Sequence, residues 1–363
     1  MAGNHFCSCP LPGEWMKGKV IGSGSFGNVH IAMNKATGAL FVVKSAVSCP
    51  GLQSLENEAT ILEGLSSPFI VQCMGKELSK DSNGDRKISI FMEYMASGSL
   101  SDVAEKFGGA LDEEVIRLYT RQILCGLKYL HENGIVHCDL KCKNVLLGSS
   151  GHVKLTDFGC AKKLKDMKNK RGLEGSWQSV GGTPLWMAPE VLRNEGLDYA
   201  SDIWSLGCTV IEMATGRPPW SDEVSNPVAA ILKIACSNQM PRFPSHFSRE
   251  GLDFLDKCLE RHPKWRWTAE ELLEHPFISG KSVSNSRIDG SCSPSSILDI
   301  SGMYDCDYDS DEPGSFNEDE SLHINRFSTR HCIQRKGTDS RQQAEIDLEP
   351  LDNWITVRSA GQF

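Results

Sequence analysis

Hydrophobic and polar positions alternate differently in successive parts of the chain. From residue 15 to about 95, short runs rich in β-branched and aromatic residues are separated by turn sequences such as KATG and DSNGD. This pattern is typical of short strands and hairpins. One segment of this part, residues 54–65, instead places Leu55, Ala59 and Leu62 at helical spacing. The pattern therefore predicts a small strand-rich lobe that contains one helix.

Beyond residue 100 the spacing of apolar residues is mostly helical. The run DEEVIRLYTRQILCGLKYLHENG has one apolar face, and we expect its helix to begin near Asp112 and to end at Asn133. Residues 201–216 are apolar almost all round, which predicts a buried central helix. Residues 226–237 and 249–260 form two further amphipathic patterns. The sequence thus predicts an α+β fold of two lobes, and the junction of two lobes is a common place for a ligand cleft.

The negative charge of the chain is concentrated at its C-terminal end. The 363 residues carry a net charge of −9, and residues 279–363 alone hold 8 Lys or Arg and 15 Asp or Glu, a balance of 8 − 15 = −7. This segment has little apolar periodicity and cannot bury enough surface to fold alone, which predicts a disordered acidic tail. The tail is either only solvated or a regulatory docking or inhibitory segment. Residues 1–14 are expected to be an N-terminal extension.

Composition also limits the classes of function. An acidic chain argues against a general nucleic-acid binder and against a polybasic membrane anchor. The N-terminus has neither a basic start followed by an apolar stretch nor a Gly directly after Met1, so we expect no secretory signal and no myristoylation. No apolar run reaches the length of a membrane helix. We therefore expect no nucleic-acid and no membrane partner, and a location in the cytoplasm, with the nucleus as an alternative. The cysteines include no C-x-x-C pair and are expected to be reduced core residues.

Two features of the strand-rich part indicate phosphate binding. The sequence IGSGSFGNV holds Gly22, Gly24 and Gly27, and glycine lets backbone approach a phosphate closely. These glycines join two predicted strands, with no following helix and no Lys-Ser/Thr ending, which argues against a dinucleotide fold and a Walker loop. Lys44 ends the apolar run LFVVK, where a lysine is costly unless it is paired, and Glu58 on the next helix could pair with it. The alternative is an ordinary turn and two exposed charges.

The remaining chemistry lies in the sequence VHCDLKCKNVLL and in the sequence TDFG that follows it. Asp139 could orient or deprotonate an incoming hydroxyl group, and Lys141 could neutralise a transferred phosphoryl group. Asn144 and Asp157 carry oxygen ligands suited to Mg²⁺. Each of these residues alone has an ordinary structural explanation. A glycine loop, a strand Lys, a helix Glu and these four residues in this order predict phosphoryl transfer from ATP.

These motifs resemble the signature set of the eukaryotic protein kinases. The resemblance covers residues 15–278, with a small lobe over 15–95 and a large lobe over 96–278. It implies a bilobal α+β kinase fold, with ATP and Mg²⁺ as cofactors. The sequence GTPLWMAPE then ends the activation segment. Within the large lobe, the resemblance implies that Asp202 steadies the catalytic loop and that Arg266 pairs with Glu190.

The resemblance also implies which residues form the site. The implied catalytic residues are Asp139, Lys141, Lys44, Glu58 and Thr183. The implied nucleotide-binding residues are Ile21, Gly22, Ser23, Gly24, Ser25, Phe26, Gly27, Asn28, Val29, Val42, Lys44, Met92, Glu93, Met95 and Leu146. The implied metal ligands are Asn144 and Asp157.

Several sequences resemble one branch of that family. Lys141 together with Thr183, and the closing HPFIS, are similar to the serine/threonine kinases. The sequences MEYMASGSLSD, HCDLKCKNVLLG and GGTPLWMAPEV resemble plant MEKK-like mitogen-activated protein kinase kinase kinases (MAPKKKs) of the short type. This resemblance implies MAP kinase kinases as protein substrates, upstream regulators acting through the tail, and a role in plant stress or hormone signalling. The alternative is a pseudokinase or scaffold that binds partners without phosphoryl transfer, which the intact phosphate-handling residues disfavour.

Three residues depart from the family pattern. Val42 stands where the family's V-A-I-K motif has Ala. The larger side chain should narrow the adenine pocket without preventing binding. Cys160 directly follows the DFG motif, either as a packed thiol or as a redox or covalent site. Cys138 stands where the family commonly has an Arg that grips an activation-loop phosphate, and a neutral thiol has no such donor fork. We interpret the catalytic loop as working but differently controlled.

Overall fold

The computed structural model describes residues 13–280, apart from 25–26, 48, 82, 169–180 and 224–225. The predictions for the N-terminal extension before residue 13 and for the acidic tail after residue 280 therefore lie outside the described residues. So do the expected contacts of Ser25 and Phe26 with nucleotide.

The strand-rich lobe is one antiparallel sheet with a helix packed against it. Its strands are β1 (Trp15–Gly24), β2 (Gly27–Asn34), β3 (Leu40–Ala46), β4 (Cys73–Lys80) and β5 (Arg86–Glu93), in the spatial order β1-β2-β3-β5-β4. Strand β3 lies at the centre, and every residue after Leu40 is buried. The central position explains why a lysine near the end of β3 faces the interior.

Helix α1 (Cys49–Leu62) is the one helix of this lobe in the described part of the chain. Its buried face includes Leu55, Ala59 and Leu62, as the spacing predicted. The helix begins earlier than predicted because Pro50 lies in its first turn. Pro-Gly reads as a turn in sequence, yet proline suits a first helical turn, where its missing N–H would have no partner.

The second lobe is mostly helical. Its helices are α2 (Leu100–Lys106), α3 (Glu113–Glu132), α4 (Leu164–Lys168), α5 (Pro189–Leu192), α6 (Tyr199–Thr215), α7 (Pro227–Cys236), α8 (Arg249–Cys258), α9 (Ala269–Leu273) and α10 (Pro276–Ser279). The predicted ends of α3 are confirmed, since Asp112 and Asn133 flank it. The predicted central helix is confirmed in α6, which is buried on nearly all sides and centres on the fully buried Trp204.

Short strands frame the loop that follows α3. Strand β7 (Ile135–Val136) pairs with β10 (Lys162–Lys163), and β8 (Val145–Leu147) lies between β6 (Gly98–Ser99) and β9 (Val153–Leu155). Residues 137–144 are thus fixed at both ends, and Asp157 follows β9 after a single residue, Thr156. The sequence does not predict these strands because two or three residues carry no measurable alternation.

The C-terminal end of the described fold lies slightly beyond the predicted boundary at residue 278. Helix α10 includes Ser279 and is capped by Gly280 at φ +67°, a conformation that favours glycine. The expected pair is present, since the guanidinium of Arg266 donates to both carboxylate oxygens of Glu190 at 2.8 and 3.1 Å. In the residues that the structure describes, no helix is long and apolar enough to cross a membrane.

Candidate active site

Lys44 joins both lobes through two ion pairs. Its Nζ lies 2.6 Å from Oε2 of Glu58 on α1 and 2.8 Å from Oδ1 of Asp157 in the second lobe. Burial by itself would lower the pKa of Lys44, but the two carboxylates outweigh it and raise the pKa above the usual lysine value. Burial raises the pKa of Glu58, and the cation of Lys44 opposes that rise. The cleft therefore presents a permanently charged, immobilised ammonium group.

Asp139, Lys141, Thr183 and Asn144 form one hydrogen-bonded cluster. The Thr183 hydroxyl donates to Asp139 Oδ1 at 2.6 Å, and Lys141 Nζ donates to Asp139 Oδ2 at 2.9 Å and to Thr183 at 2.5 Å. The Asn144 amide donates to the backbone carbonyl and to Oδ2 of Asp139 at 2.8 and 3.0 Å. Thr183 lies 44 residues from Asp139, so the activation segment closes onto the catalytic loop at this point.

Helix α6 holds the backbone of the catalytic loop, residues 137–144, through the side chain of Asp202. The fully buried carboxylate of Asp202 accepts the amide N–H groups of His137 and Cys138 at 2.9 and 3.0 Å. It also lies 3.0 Å from Nε2 of His131, whose ring stacks on Tyr199. Cys138 has φ +68°, a strained value for a residue with a side chain. The two bonds to Asp202 stabilise this conformation and direct the following Asp139 into the cleft.

Asp157 begins a tight turn that faces the same cleft. Its φ of +64° lies in the left-handed region, and Phe158 after it is fully buried. A Cβ at Gly159 would lie 2.1 Å from Oγ of Ser54 on α1, so any other residue would force the Ser54 side chain to move. The pKa of Asp157 is lowered because the attraction of Lys44 outweighs its burial. Asp157 therefore remains ionised, as a metal ligand must be.

Most of the remaining residues expected at the nucleotide belong to, or pack against, the hydrophobic core that extends through both lobes. Val42, Met92 and Met95 are buried, and Val29 and Leu146 pack against the same core. Oε1 of Glu93 accepts hydrogen bonds from Lys154 Nζ at 2.7 Å and from the Gln72 amide at 2.6 Å, so this side chain is engaged within the protein.

The backbone also offers a donor for a base. The amide of the nearly buried Met95 donates to no acceptor in the described part of the chain. A free buried donor is costly unless a ligand supplies an acceptor. A ring nitrogen of adenine would supply such an acceptor, and in this respect the residues present fit ATP.

The glycine loop closes as a hairpin between β1 and β2. The Ser23 hydroxyl donates to Oδ1 of Asn28 at 2.8 Å, and Gly22 pairs with Val29. A Cβ on Gly27, at φ +140°, would lie 2.2 Å from the carbonyl oxygen of Ser45. Ile21 is 43% exposed, and a Cβ on Gly24 would meet no atom within 4 Å. This part of the loop therefore has free space on its surface.

Asn144 and Asp157 together supply oxygen ligands but no complete metal cage. No group of three or more His, Cys, Asp or Glu residues in the described ranges is arranged to hold a metal ion. Mg²⁺ in phosphate-transfer sites is bound by one or two protein side chains together with phosphate oxygens and water. The donor set therefore fits Mg²⁺ carried in with a nucleotide.

Family comparison agrees with this geometry. A profile of the protein kinase domain matches residues 15–278, which hold every element of the cleft. The chain belongs to the protein kinase family. This confirms the predicted bilobal kinase fold, and nothing in the cleft favours a pseudokinase.

The relatives of this kinase narrow the branch. It is 37% identical to mitogen-activated protein kinase kinase kinase 17 of Arabidopsis thaliana over 356 residues, covering 95% of this chain and 93% of that protein. It is 41% identical to kinase kinase kinase 18 of the same plant, covering 74% of this chain and 78% of that protein. It is 43% identical to kinase kinase kinase 3 over 278 residues but spans only 41% of that protein. The chain is therefore a protein serine/threonine kinase that resembles plant MAPKKKs, as predicted.

The two unusual cysteines of this kinase differ in exposure, since Cys160 is buried and Cys138 is partly buried. Burial raises the pKa of Cys138 well above its usual value, and Asp202 adds to the rise. Burial likewise raises the pKa of Cys160 to about 12. The Cys138 thiol points to the backbone carbonyl of Val136 at 3.5 Å. Raised pKa values make both thiols poor nucleophiles, which favours the packed-thiol interpretation of Cys160.

Three residues that sequence reasoning missed complete the site. Asn57 donates from α1 to the turn after Asp157, and His131 contacts Asp202. Glu212 accepts the Cys142 amide and the Trp186 indole, both at 3.0 Å, and burial raises its pKa. In sequence these are ordinary polar positions of helices. Of the three, Glu212 carried a weak signal, as one of two acids, with Asp202, in a mostly apolar helix.

Proposed function

We propose that this kinase transfers the γ-phosphate of ATP to Ser or Thr hydroxyls of MAP kinase kinases. The observation that carries the proposal is the 37% identity to mitogen-activated protein kinase kinase kinase 17 over nearly the full length of both chains. The cluster of Asp139, Lys141 and Thr183 supports the hydroxyl as acceptor, because it holds a base and a cation within one hydrogen-bonded unit.

In this proposal each charged side chain has one task. Asp139 orients the incoming hydroxyl and accepts its proton, and Lys141 stabilises the charge of the transferred group. Lys44 holds the nucleotide phosphates, and Glu58 holds Lys44. Mg²⁺, when bound, neutralises charge on the phosphates; Asn144 and Asp157 are its proposed ligands. The list of implied nucleotide-binding residues, including the loop from Ile21 to Val29, is retained as proposed.

The substrate proposal is tested with the full-length chain, Mg·ATP and a panel of purified MAP kinase kinases. Lys44→Met serves as the inactive control. We expect phosphate on Ser or Thr of the activation loop of at least one of these proteins, identified by phosphoamino-acid analysis and mass spectrometry. Phosphotyrosine as the main product, or transfer to general substrates but to no MAP kinase kinase, would contradict the proposal.

Thr183 is expected to matter beyond its place in the activation segment. Thr183→Ala removes a hydroxyl that bonds both Asp139 and Lys141, and hydrogen bonds to charged groups contribute about 1.5–3 kcal/mol. We expect kcat to fall by about tenfold to a hundredfold, while Thr183→Ser, which keeps the hydroxyl, retains most of it. Steady-state kinetics on both variants measure the difference. Equal losses in both would assign the effect to the methyl group instead.

Cys138 is expected to free the kinase from dependence on activation-loop phosphorylation. The hydrogen bond from Thr183 to Asp139 forms although position 138 carries a thiol and no guanidinium group. A phosphate on Ser176 or Ser179, which lie outside the described residues, would find no partner from the catalytic loop. We expect protein made without an upstream kinase to be active and to lose little activity on phosphatase treatment.

The matched variants for this prediction are Cys138→Arg and Cys138→Ser. Cys138→Arg should make activity fall by about tenfold or more after phosphatase treatment, because one charge-assisted contact is worth that much. Cys138→Ser, which stays neutral, should behave like the wild type. If phosphatase silences the wild type as fully as the Arg variant, control does not depend on position 138.

The acidic tail is proposed to carry regulation without catalysis. Its balance of −7 leaves the preceding 278 residues with 30 basic and 32 acidic residues, close to neutrality. A chain truncated after Gly280 is expected to keep its kcat and to lose regulatory partner binding or salt dependence. Kinetics at two ionic strengths and pull-down of upstream regulators compare it with the full chain. Identical behaviour in all respects would remove the regulatory part of the proposal.

A further inference from the structure

Asn57 on α1 makes an unusual set of contacts with the turn after Asp157. Its Nδ2 lies 3.2 Å from the carbonyl oxygen of Phe158, 3.1 Å from that of Gly159 and 3.0 Å from that of Ala161. An amide nitrogen has two hydrogens, so the three acceptors share them. One side chain of the small lobe thus gathers three backbone carbonyls of the large lobe.

The chemistry of this contact requires a donor. Three carbonyl oxygens that face one point repel one another, and the partial positive charge of the NH₂ group offsets that repulsion. The opposite orientation of the amide would aim Oδ1 at three oxygens, so the hydrogen-bond network fixes the orientation. An aspartate at this position has the same shape and the wrong charge.

Two other residues on this face of α1 belong to the same contact region. Glu58, the next residue, pairs with Lys44, which in turn bonds Asp157. Ser54, one turn earlier, packs directly against Gly159. All of these contacts require α1 to lie close to the turn, so a displacement of the helix would break them together.

We propose that Asn57 is a positioning residue that holds α1 against the Asp157–Ala161 turn, so that Glu58 and Asp157 reach Lys44 at the same time. If α1 moves away, the three carbonyls lose their donor, Lys44 loses Glu58, and Asp157 loses its fixed direction. Phosphate and metal binding need this closed arrangement, whereas a base bound at the Met95 backbone does not. Asn57 should therefore control affinity for Mg·ATP and leave affinity for adenosine unchanged.

The test compares Asn57→Ala and Asn57→Asp with Gln53→Ala, an exposed amide residue on the same helix. Isothermal titration calorimetry measures the binding of Mg·ATP and of adenosine to each full-length protein. We expect Asn57→Ala to weaken Mg·ATP by about tenfold, because the carbonyl oxygens of Gly159 and Ala161 lose the Asn57 donor, and Asn57→Asp to weaken it more. Adenosine should bind all four proteins within about twofold. Gln53→Ala should match the wild type with both ligands.

Two further measurements exclude a general structural effect. Hydrogen exchange of the nucleotide-free proteins should show faster exchange in α1 and in the turn for both Asn57 variants, with the helices of the large lobe unchanged. In a double-mutant cycle, Asn57→Ala combined with Glu58→Gln should weaken Mg·ATP by less than the product of the single effects, since both act on one helix position.

The proposal is overturned if Asn57→Asp binds Mg·ATP like the wild type, or if adenosine and Mg·ATP weaken equally. Unchanged hydrogen exchange in α1 or a fully multiplicative cycle would also overturn it. The inference rests on the proposed nucleotide site only. It uses no protein substrate, so the proposal on MAP kinase kinases can fail without affecting it, and the reverse is also true.

Discussion

Replacing Asp139 with asparagine is expected to lower kcat by about a thousandfold or more while leaving nucleotide binding nearly unchanged. The Asp139 carboxylate is only 6% exposed and receives hydrogen bonds from Thr183, Lys141 and Asn144. Asparagine keeps the shape and removes the group that accepts the proton of the incoming hydroxyl. A general base contributes about a hundredfold to ten-thousandfold, and each factor of ten corresponds to about 1.4 kcal/mol in the barrier.

The measurement separates chemistry from binding. Single-turnover kinetics give the rate of phosphoryl transfer, and calorimetry gives the affinity for Mg·ATP. Asp85→Asn is the matched control, because it makes the same change at an exposed position of the β4–β5 turn. A variant that keeps more than about a tenth of the wild-type rate would show that Asp139 only supports the loop, and another residue would have to act as base.

Much of this site could be predicted from the sequence because the deciding residues lie close together along the chain. A lysine within a buried strand needs an acid, and the sequence offered Glu58 on the next helix. The N-terminal end of α3 was predicted because Asp112 precedes a first turn that contains two acidic residues. The C-terminal end was predicted because Asn133-Gly134 is a typical helix end. The buried helix α6 was predicted from apolar residues on every side. In each case the deciding information lies within about twenty residues.

The missed features depend on contacts between distant parts of the chain. Asn57 meets its acceptors more than 100 residues further on, and His131 meets Asp202 71 residues away. A polar helix residue that faces a carbonyl has the same local sequence as one that faces water. Strands β7 and β10 have two residues each, which is too short for a periodic pattern. They form where the chain segments around them bring their backbones together, so the local sequence does not predict them.

The catalytic loop shows why an apparent defect in a motif can be harmless. Position 138 contributes its backbone to the loop, since its amide N–H bonds Asp202 and its φ turns Asp139 into the cleft. Its side chain contributes nothing to the hydrogen-bonded cluster around Asp139. An Arg-to-Cys difference therefore leaves the hydrogen-bonded cluster around Asp139 intact, and its proposed effect is confined to the pairing of a regulatory phosphate.

Replacing Lys44 with methionine is expected to abolish phosphoryl transfer and also to destabilise the folded protein. Lys44 and Glu58 form a buried pair, with side chains 10% and 1% exposed. Removal of one partner of a buried ion pair leaves the other charge uncompensated, which costs about 3–5 kcal/mol. Activity should fall by at least about a thousandfold because no other residue of the cleft replaces the ammonium group at the phosphates.

A second substitution should separate these two effects. In Lys44→Met/Glu58→Gln the buried carboxylate of Glu58 is removed while that of Asp157 remains without its cation, so stability should recover partly, as followed by chemical denaturation, whereas activity should not recover. Recovery of activity in the double variant would mean that Lys44 serves only to neutralise Glu58. It would contradict the proposed contact of Lys44 with the phosphates.

The pH dependence of the single variant follows from Glu58. Burial raises the pKa of Glu58, and in Lys44→Met no cation opposes that rise, so the carboxyl group binds its proton more tightly in the folded than in the unfolded protein. Below the unfolded pKa of about 4.5, the Glu58 carboxyl group is neutral in both states and does not destabilise the folded variant. As the pH rises through the raised folded pKa, the folded state must ionise a buried acid, and the free energy of unfolding falls. The stability deficit of Lys44→Met relative to the wild type should therefore widen as the pH rises above about 4.5 and should be flatter in the double variant, in which only Asp157 lacks its cation. Urea titrations at several pH values measure it, and a deficit independent of pH would show that Glu58 escapes to solvent when Lys44 is absent.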